Sequence, residues 1–131
     1  MTDKMGRSEE EIQKKLTPEQ FHVLRERGTE IPFTGKFDQF FEKGMYRCGA
    51  CGAQIFSSDR KYDAGCGWPS FDEALPKAVE FHEDNTLDMH RIEVTCARCG
   101  SHLGHVFTDG PKETTGQRFC INSAALDFEK K

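Results

Sequence analysis

The chain has 131 residues, a length that fits one domain with one modest hydrophobic core. Apolar residues make up 36% of the chain, and the 12 glycines raise that share to about 45%, the low edge for soluble domains, so we expect something besides apolar burial to stabilise the fold. The net charge of -4, with no run of more than two basic residues, argues against binding to nucleic acid or to an anionic membrane, because both need clustered Lys and Arg.

Residues 1–15 are predicted to be an N-terminal extension with a short helix, and residues 16–131 to be a single domain. Ser8 followed by three glutamates has the form of a capping box, which marks a helix start. This end of the chain lacks the apolar segment of a secretory signal, and no segment approaches transmembrane length, so the expected location is the cytoplasm. Six cysteines in a reducing compartment are more often metal ligands or redox catalysts than structural disulfides.

A second helix is predicted to start at the segment Thr17-Pro18-Glu19-Gln20. This segment is another capping box, with proline at the first helical position. Gly28 is a natural helix stop, so the predicted helix is short.

Beyond Gly28 the sequence predicts an antiparallel β domain, because short aromatic and β-branched runs alternate with Gly, Pro and Asp. The candidate strands are residues 45–48, 54–57, 78–82, 89–95, 104–108 and 118–122. In the clearest of them, Ile92 and Val94 share one face and alternate with polar residues. We expect this strand to pair with residues 78–82 across a turn at residues 83–86.

Two Cys-x-x-Cys pairs carry the strongest local chemical signal. Each pair is followed by glycine, and the four cysteines are Cys48, Cys51, Cys96 and Cys99. Two such knuckles supply a tetrahedral set of four thiolates, which favours zinc, with iron as a substitute. Four protein ligands leave no open position, so the metal is expected to be structural. The alternative, two separate thioredoxin-like redox motifs, is disfavoured because neither pair opens a helix in a βαβ unit.

Cys120 lies outside this metal set, near the C-terminus. If residues 118–122 form a strand, Arg118, Cys120 and Asn122 share one face, while Phe119 and Ile121 are buried on the other. A guanidinium beside a thiol favours the reactive thiolate, so we interpret Cys120 as a nucleophile. The alternative is a buried, inert cysteine in a C-terminal strand.

Cys66 is the remaining cysteine, and it is flanked by Gly65 and Gly67. Because glycines permit unusual backbone angles, Cys66 is a candidate resolving partner of Cys120 if the fold brings the two together. The alternative is two unrelated free thiols. Trp68, the only tryptophan, is either a core residue or an apolar wall for a small methyl-bearing ligand.

His102 and His105 are candidate acids, because imidazole titrates near neutral pH. Strict alternation along a strand would place the two rings on opposite faces. We therefore predict a β-bulge at Gly104 that brings them to one side. The alternative for either histidine is an ordinary surface or hydrogen-bonded residue.

Four segments of the chain combine these motifs. They are residues 46–52, 65–71, 96–107 and 118–123, which read Tyr-Arg-Cys-Gly-Ala-Cys-Gly, Gly-Cys-Gly-Trp-Pro-Ser-Phe, Cys-Ala-Arg-Cys-Gly-Ser-His-Leu-Gly-His-Val-Phe and Arg-Phe-Cys-Ile-Asn-Ser. Together they closely resemble the methionine sulfoxide reductase B family, and the resemblance extends over residues 16–128. It implies a mainly β fold of two antiparallel sheets with short N-terminal helices and a structural zinc site distant from the active site.

The resemblance also implies a reaction. Cys120 matches the nucleophile that attacks the sulfur of peptide-bound methionine (R)-sulfoxide, and Cys66 matches the resolving cysteine that forms a disulfide with it. Thioredoxin is the implied reductant of this disulfide, and the implied role is repair of oxidative damage. The other matching residues surround the implied pocket: His102, His105 and Asn122 near the reacting atoms, and Trp68, Phe107 and Arg118 against the substrate. Either histidine is a candidate donor of the proton to the sulfoxide oxygen.

Two other functions stay open from the residues alone. One is a zinc-ribbon-like module that recruits a protein partner, with Cys66 and Cys120 incidental. The other is a general thiol peroxidase. Our expectation is a monomeric enzyme whose partners are oxidised proteins or peptides and thioredoxin.

Overall fold

Among the residues that the computed structural model describes, the regular elements are one nine-residue α-helix, two 3₁₀ helices (Ser58–Arg60 and Ser123–Ala125) and nine strands in two antiparallel sheets. These are residues 14, 16–26, 28, 35, 37, 40–62, 67–84 and 91–130. The elements are α1 (Pro18–Glu26), β1 (Gly44–Cys48), β2 (Gln54–Ser57), β3 (Lys61–Tyr62), β4 (Ser70–Phe71), β5 (Val79–Asp84), β6 (Arg91–Cys96), β7 (His102–Phe107), β8 (Arg118–Ile121) and β9 (Leu126–Lys130). The predicted mainly β class with two antiparallel sheets is confirmed.

Helix α1 begins as its capping box predicts. The Gln20 N–H donates to Thr17 Oγ1 at 3.2 Å, and the Thr17 N–H donates to Gln20 Oε1 at 3.1 Å. Val23 and Leu24 are buried and join the core. Of the N-terminal extension, only Lys14 is described, and it is helical; the rest of the helix predicted there lies outside the described residues. Within the described part of the chain, no helix is both long and apolar enough to cross a membrane.

The smaller sheet has three strands in the order β2-β1-β9, and both pairings are antiparallel. Strands β1 and β2 lie where they were predicted. Strand β9 was not predicted from the sequence; it has five residues, of which three are charged. Its pairing with all five residues of β1 is what makes this segment a strand.

The larger sheet has six strands in the order β3-β4-β8-β7-β6-β5. Strand β5 pairs with β6 as predicted, in a register that places Val79 opposite Cys96 and Asp84 opposite Arg91. The turn predicted at residues 83–86 is wrong in its first half, because β5 continues through Asp84. The reason is an ion pair: Arg91 Nη2 donates to Asp84 Oδ2 at 3.4 Å and ties the strand end to β6. The two-residue strands β3 and β4 were not predicted.

The hydrophobic core lies between the two sheets and is built around stacked aromatic rings. Phe56 of the smaller sheet stacks on Phe71 of the larger one, with ring centroids 4.2 Å apart. Tyr46 meets Phe71 edge-on at 5.1 Å, and Phe119 meets Phe56 at 5.6 Å. Burial of each such side chain contributes about 1.5–3 kcal/mol. Because one face of the larger sheet is used in this way, its polar face is left to build the candidate active site.

Candidate active site and metal centre

The cysteines of the two knuckles form one compact cluster, in which the four Sγ atoms all lie within 4.8 Å of one another. Cys48 Sγ is 3.7 Å from Cys99 Sγ, and Cys51 Sγ is 3.6 Å from Cys96 Sγ. Four sulfurs placed tetrahedrally around zinc, at a Zn–S distance of about 2.3 Å, stand about 3.8 Å apart. The donor set and its spacing therefore fit a tetrahedral metal ion.

A tight turn shapes each knuckle and ends at the glycine that follows its second cysteine. Gly52 and Gly100 have φ values of 79° and 80°, which are costly for a residue with a side chain. Their N–H groups donate to the carbonyls of Cys48 and Cys96, both at 2.8 Å. The glycine at this position is thus needed for the turn that brings the two cysteines of a knuckle together.

Crowding of the sulfurs makes ionisation of the cluster a shared property. Hydrogen bonds with the other three thiols, first of all with Cys51, and then burial raise the pKa of the Cys48 thiol. The hydrogen bond with Cys48 is the main reason that the pKa of the Cys51 thiol is lowered to about 7. Binding of a cation by such a cluster displaces the protons of its thiols, as is expected for metal-binding cysteines.

Cys120 lies in β8, where the side chains alternate as predicted. Phe119 and Ile121 are 2% and 0% exposed, while Arg118 and Cys120 are half-buried on the opposite face. Asn122 follows the strand and is buried, and its side-chain amide donates to a main-chain carbonyl of β7 at 3.1 Å. The thiol is therefore not part of the apolar core, whereas the residues on either side of it are.

A cavity of about 240 Å³ opens beside Cys120 on the polar face of the larger sheet. Its lining residues are Trp68, Arg91, Gly104, His105, Phe107, Arg118, Cys120 and Asn122. Six of the eight residues predicted for the catalytic pocket are in this lining, although they come from separate segments of the chain. Of the other two, His102 contacts the ring of His105, and Cys66 lies outside the described residues.

A β-bulge beside Gly104 brings His102 and His105 to the same side of β7. In the pairing of β7 with β6 the register shifts between Gly104 and His102, and Leu103 is the extra residue. The two imidazole rings meet edge to face, with centroids 5.4 Å apart. The predicted bulge and the juxtaposition of the two rings are confirmed.

Each of these histidines is hydrogen-bonded to a buried carboxylate. Neither carboxylate was among the predicted site residues. His105 Nε2 is 2.8 Å from Asp84 Oδ2, and His102 Nδ1 is 2.7 Å from Glu93 Oε2. Asp84 and Glu93 are 5% and 6% exposed. The available signal was the alternation that puts Glu93 on the polar side of its strand, but which carboxylate meets which imidazole depends on strand register.

The two histidines serve different cavities. His105 lines the cavity that contains Cys120, whereas His102 and Glu93 line a second cavity of about 300 Å³ that does not include Cys120. Arg25 of helix α1 and His82 of β5 are also in the lining of the second cavity. Of the two candidate acids, His105 is therefore the one that faces the space beside the thiol.

Arg118 is held at the cavity by an ion pair and an aromatic ring. Its Nε and Nη2 donate to the two carboxylate oxygens of Asp109 at 2.9 and 3.3 Å, and its guanidinium lies 4.5 Å from the centre of the Phe107 ring. The hydrogen bond from Arg118 lowers the pKa of the Asp109 carboxyl. Because Asp109 is exposed, solvent screens this pair, and its contribution to stability is small.

Comparison with known proteins identifies the family. The profile described as "SelR domain" matches residues 16–130. The relative named peptide methionine sulfoxide reductase MsrB in Chromohalobacter salexigens is 58% identical over 129 residues, which are 98% of this chain and 97% of that protein. The chain belongs to the methionine sulfoxide reductase B family. The predicted family and enzyme class are thus confirmed.

Other matches extend this result to distant organisms and to a shared fold. The mitochondrial methionine-R-sulfoxide reductase B3 of Mus musculus is 48% identical to this reductase over 122 residues, which are 92% of this chain and 48% of that protein. The crystal structure of the Mis18 "Yippee-like" domain superimposes with a TM-score of 0.55, covering 69% of this chain and 98% of that one. At 14% identity, this second likeness shows the fold alone.

Proposed function

We propose that this reductase acts on peptide-bound methionine (R)-sulfoxide with Cys120 as the nucleophile. Membership in the reductase family supports the substrate class. The observation that carries the proposal to particular residues is the half-buried Cys120 in the wall of a cavity of about 240 Å³, a volume suited to a single side chain. Trp68 and Phe107 in the same wall offer apolar rings to the methyl group of the sulfoxide.

In the proposed reaction, the Cys120 thiolate attacks the sulfoxide sulfur and the sulfoxide oxygen takes up a proton. Methionine leaves with its sulfur reduced, and Cys120 becomes a sulfenic acid. The Cys66 thiol condenses with this sulfenic acid, so that one water leaves and a Cys66–Cys120 disulfide forms. Thioredoxin reduces the disulfide by thiol exchange, and its own dithiol is oxidised.

The proposed proton donor is His105. Oxide is a very poor leaving group, so the reaction needs an acid next to the sulfoxide oxygen. His105 lines the cavity and lies directly opposite Cys120 in the pairing of β7 with β8, which places both side chains on one face of the sheet. His102, 3% exposed and in edge-to-face contact with His105, is proposed to support that ring from behind.

The cysteine cluster is proposed to hold one zinc ion with a structural role. Cys48 is the last residue of β1 in the smaller sheet, and Cys96 is the last residue of β6 in the larger sheet. An ion held by both knuckles would cross-link the two sheets through coordinate bonds. With four thiolates as ligands it would have no position left for the substrate.

The proposed function includes an oligomeric state, a cellular compartment and a reductant. We infer that the enzyme works as a monomer in the cytoplasm, repairing oxidised proteins with thioredoxin as reductant. The support is chemical: a catalytic cycle that passes through free thiols needs a reducing compartment and a dithiol donor.

Separate R and S sulfoxides of a blocked methionine, with dithiothreitol as reductant, test the proposal. We expect the wild-type enzyme to reduce the R epimer and leave the S epimer unchanged, and Cys120→Ser to be inactive. For Cys66→Ser, turnover with dithiothreitol should partly survive, whereas turnover with thioredoxin should be lost. An active Cys120→Ser would overturn the nucleophile assignment, and equal loss of both activities in Cys66→Ser would contradict the resolving role.

Thiol counting separates the proposed cycle from its alternatives. In the reduced, metal-loaded protein, the two cysteines outside the cluster of four should react with a thiol reagent, and one equivalent of substrate should remove both. A thiol peroxidase would lose the same two thiols to peroxide and would not distinguish the epimers of the sulfoxide.

A further inference from the structure

The Asp84 carboxylate is hydrogen-bonded to two residues that line the cavity around Cys120, although Asp84 itself does not line that cavity. Its Oδ2 atom is 2.8 Å from His105 Nε2 and 3.4 Å from Arg91 Nη2, and both of these partners line the cavity. The Asp84 side chain itself is 5% exposed and is not in the lining. A carboxylate buried to this depth is costly unless it is paired and hydrogen-bonded, and here a guanidinium supplies the charge and an imidazole the hydrogen bond.

The bond to Asp84 decides which nitrogen of His105 carries the proton in the neutral ring. An ionised carboxylate only accepts hydrogen bonds, so Nε2 must be the donor. Nδ1 is then the nitrogen left toward a ligand in the cavity, and it can give a proton to the sulfoxide oxygen only when the ring is an imidazolium, a cation that the Asp84 carboxylate stabilises. We propose that Asp84 is a positioning residue for the reduction step, and that it fixes the Nε2–H tautomer of His105 and the orientation of its ring beside Cys120. The inference rests on the function proposed above.

Strand pairing gives this arrangement a rigid frame. Asp84 is opposite Arg91 in the pairing of β5 with β6, and His105 is opposite Glu93 in the pairing of β6 with β7 and opposite Cys120 in that of β7 with β8. Residues that face each other across neighbouring strands point to the same side of a sheet, so the polar face carries the whole series. Asp84→Asn keeps the shape of the side chain and the main-chain pairing, and it removes the charge that selects the tautomer.

The nitrogen resonances of the imidazole rings test the tautomer directly. In the reduced, metal-loaded wild-type protein, labelled with ¹⁵N and measured at a pH at which the spectrum itself shows the rings to be neutral, His105 should carry its proton on Nε2. His102, whose Nδ1 is bonded to Glu93, should show the opposite tautomer in the same spectrum. In Asp84→Asn, the amide can donate as well as accept, and His105 should therefore show both tautomers. A wild-type His105 with its proton on Nδ1 would overturn the inference, whether or not the variant folds.

Single-turnover kinetics test whether the tautomer matters for the reaction. Without any reductant, the rate at which Asp84→Asn forms methionine from the R sulfoxide should fall about 100-fold, because the imidazolium that acts as the general acid loses the carboxylate that stabilises its charge and orients its ring. The substrate concentration that gives half the maximal rate should change less than about threefold, since the cavity wall stays in place. Asp127→Asn, an exposed residue of β9, is the matched control and should keep the wild-type rate.

The outcomes distinguish this inference from the proposed function. If wild-type protein forms no methionine, the proposed function fails. If wild-type protein is active and Asp84→Asn retains its rate while its His105 shows both tautomers, the positioning role is wrong. A loss of affinity with an unchanged maximal rate would make Asp84 a support for Arg91 alone and would also overturn the inference.

Discussion

The cysteine cluster and the cavity around Cys120 differ in what surrounds the sulfur. In the cluster, Cys48 and Cys96 are fully buried, and each sulfur is close to three others. Cys120 is half-buried, and its neighbours in the cavity wall are imidazole, indole, guanidinium and amide groups. A sulfur among sulfurs is suited to hold a cation, whereas a sulfur among proton donors and cations is suited to react. The chemistry of each cysteine therefore follows from its neighbours.

The two regions also differ in how the chain builds them. Each knuckle is closed by its own five-residue turn, and the two knuckles meet at the ends of β1 and β6. The cavity instead depends on the register of four adjacent strands, β5 to β8. Damage to the cluster should therefore appear first in the stability of the fold, and damage to the cavity should appear in the rate of reduction.

The largest expected effect is on stability, when the metal proposed for the cysteine cluster is removed with a chelator. Four-cysteine zinc sites of small domains contribute about 10–16 kcal/mol of apparent binding free energy, which exceeds the whole stability of many domains. We expect the melting temperature of the reduced protein to fall by more than about 20 °C, measured by scanning calorimetry. Added zinc should restore it.

Cys48→Ser is the matched variant for this experiment. It removes one of the four thiolates without touching the cavity around Cys120, and it should melt at a similarly low temperature even with zinc present. Apo protein as heat-resistant as the metal-loaded form would contradict the structural role of the cluster.

The second prediction concerns Cys120→Ser, which should leave stability nearly unchanged and lower the rate of reduction strongly. Serine is close to cysteine in size and the site is half-buried, so the melting temperature should stay within about 2 °C of the wild-type value. The rate of methionine formation should fall at least about 1000-fold, because the variant lacks the proposed nucleophile. Calorimetry and epimer-resolved turnover on the same sample check both parts. A stability loss in Cys120→Ser like that of Cys48→Ser would mean that the two regions are not separable.

The cysteine cluster could be predicted from the sequence more completely than the cavity around Cys120. The cluster was predictable because its spacing and turn glycines are local signals, and the alternation around Cys120 and the bulge beside Gly104 could be found in the same way. The carboxylates that bind the two histidines could not be predicted in this way. Asp84, for example, is 21 residues from His105 in the chain and contacts it only because of the register of β5, β6 and β7. Strand β9 was missed because its stability comes from pairing with β1.

A third and smaller effect tests the charge beside Cys120. Arg118 lies two residues away on the same face, about 7 Å along the strand, where a unit charge contributes about 1 kcal/mol to thiolate stability at an intermediate dielectric. In Arg118→Met, alkylation of Cys120 by iodoacetamide at neutral pH should slow about fivefold to tenfold.

Asp109→Asn is the paired control for Arg118. It removes the exposed carboxylate that partly neutralises the guanidinium, so alkylation of Cys120 should be as fast as in the wild type or faster. The difference between the two variants should shrink at high salt, because the Asp109 carboxylate is exposed and salt screens it. An unchanged rate in Arg118→Met would show that the thiol is not activated by this cation.

The smallest expected effect belongs to the core next to the cluster and depends on pH. Tyr46, two residues before Cys48 in β1, is fully buried, and burial, followed by the nearby Glu42 carboxylate, raises the pKa of its phenol. The unfolded chain ionises this group near pH 10, whereas the folded chain keeps it neutral. Its contribution to stability is therefore fully present below pH 10 and is lost as the pH rises toward the folded-state pKa. The free energy of unfolding should fall by about 1 kcal/mol per pH unit above pH 10.

Urea unfolding at pH 9 and pH 11 should show this extra loss in the wild type and not in Tyr46→Phe, while both proteins reduce the sulfoxide at equal rates at pH 9. Parallel losses in the two proteins would assign the alkaline instability to other groups.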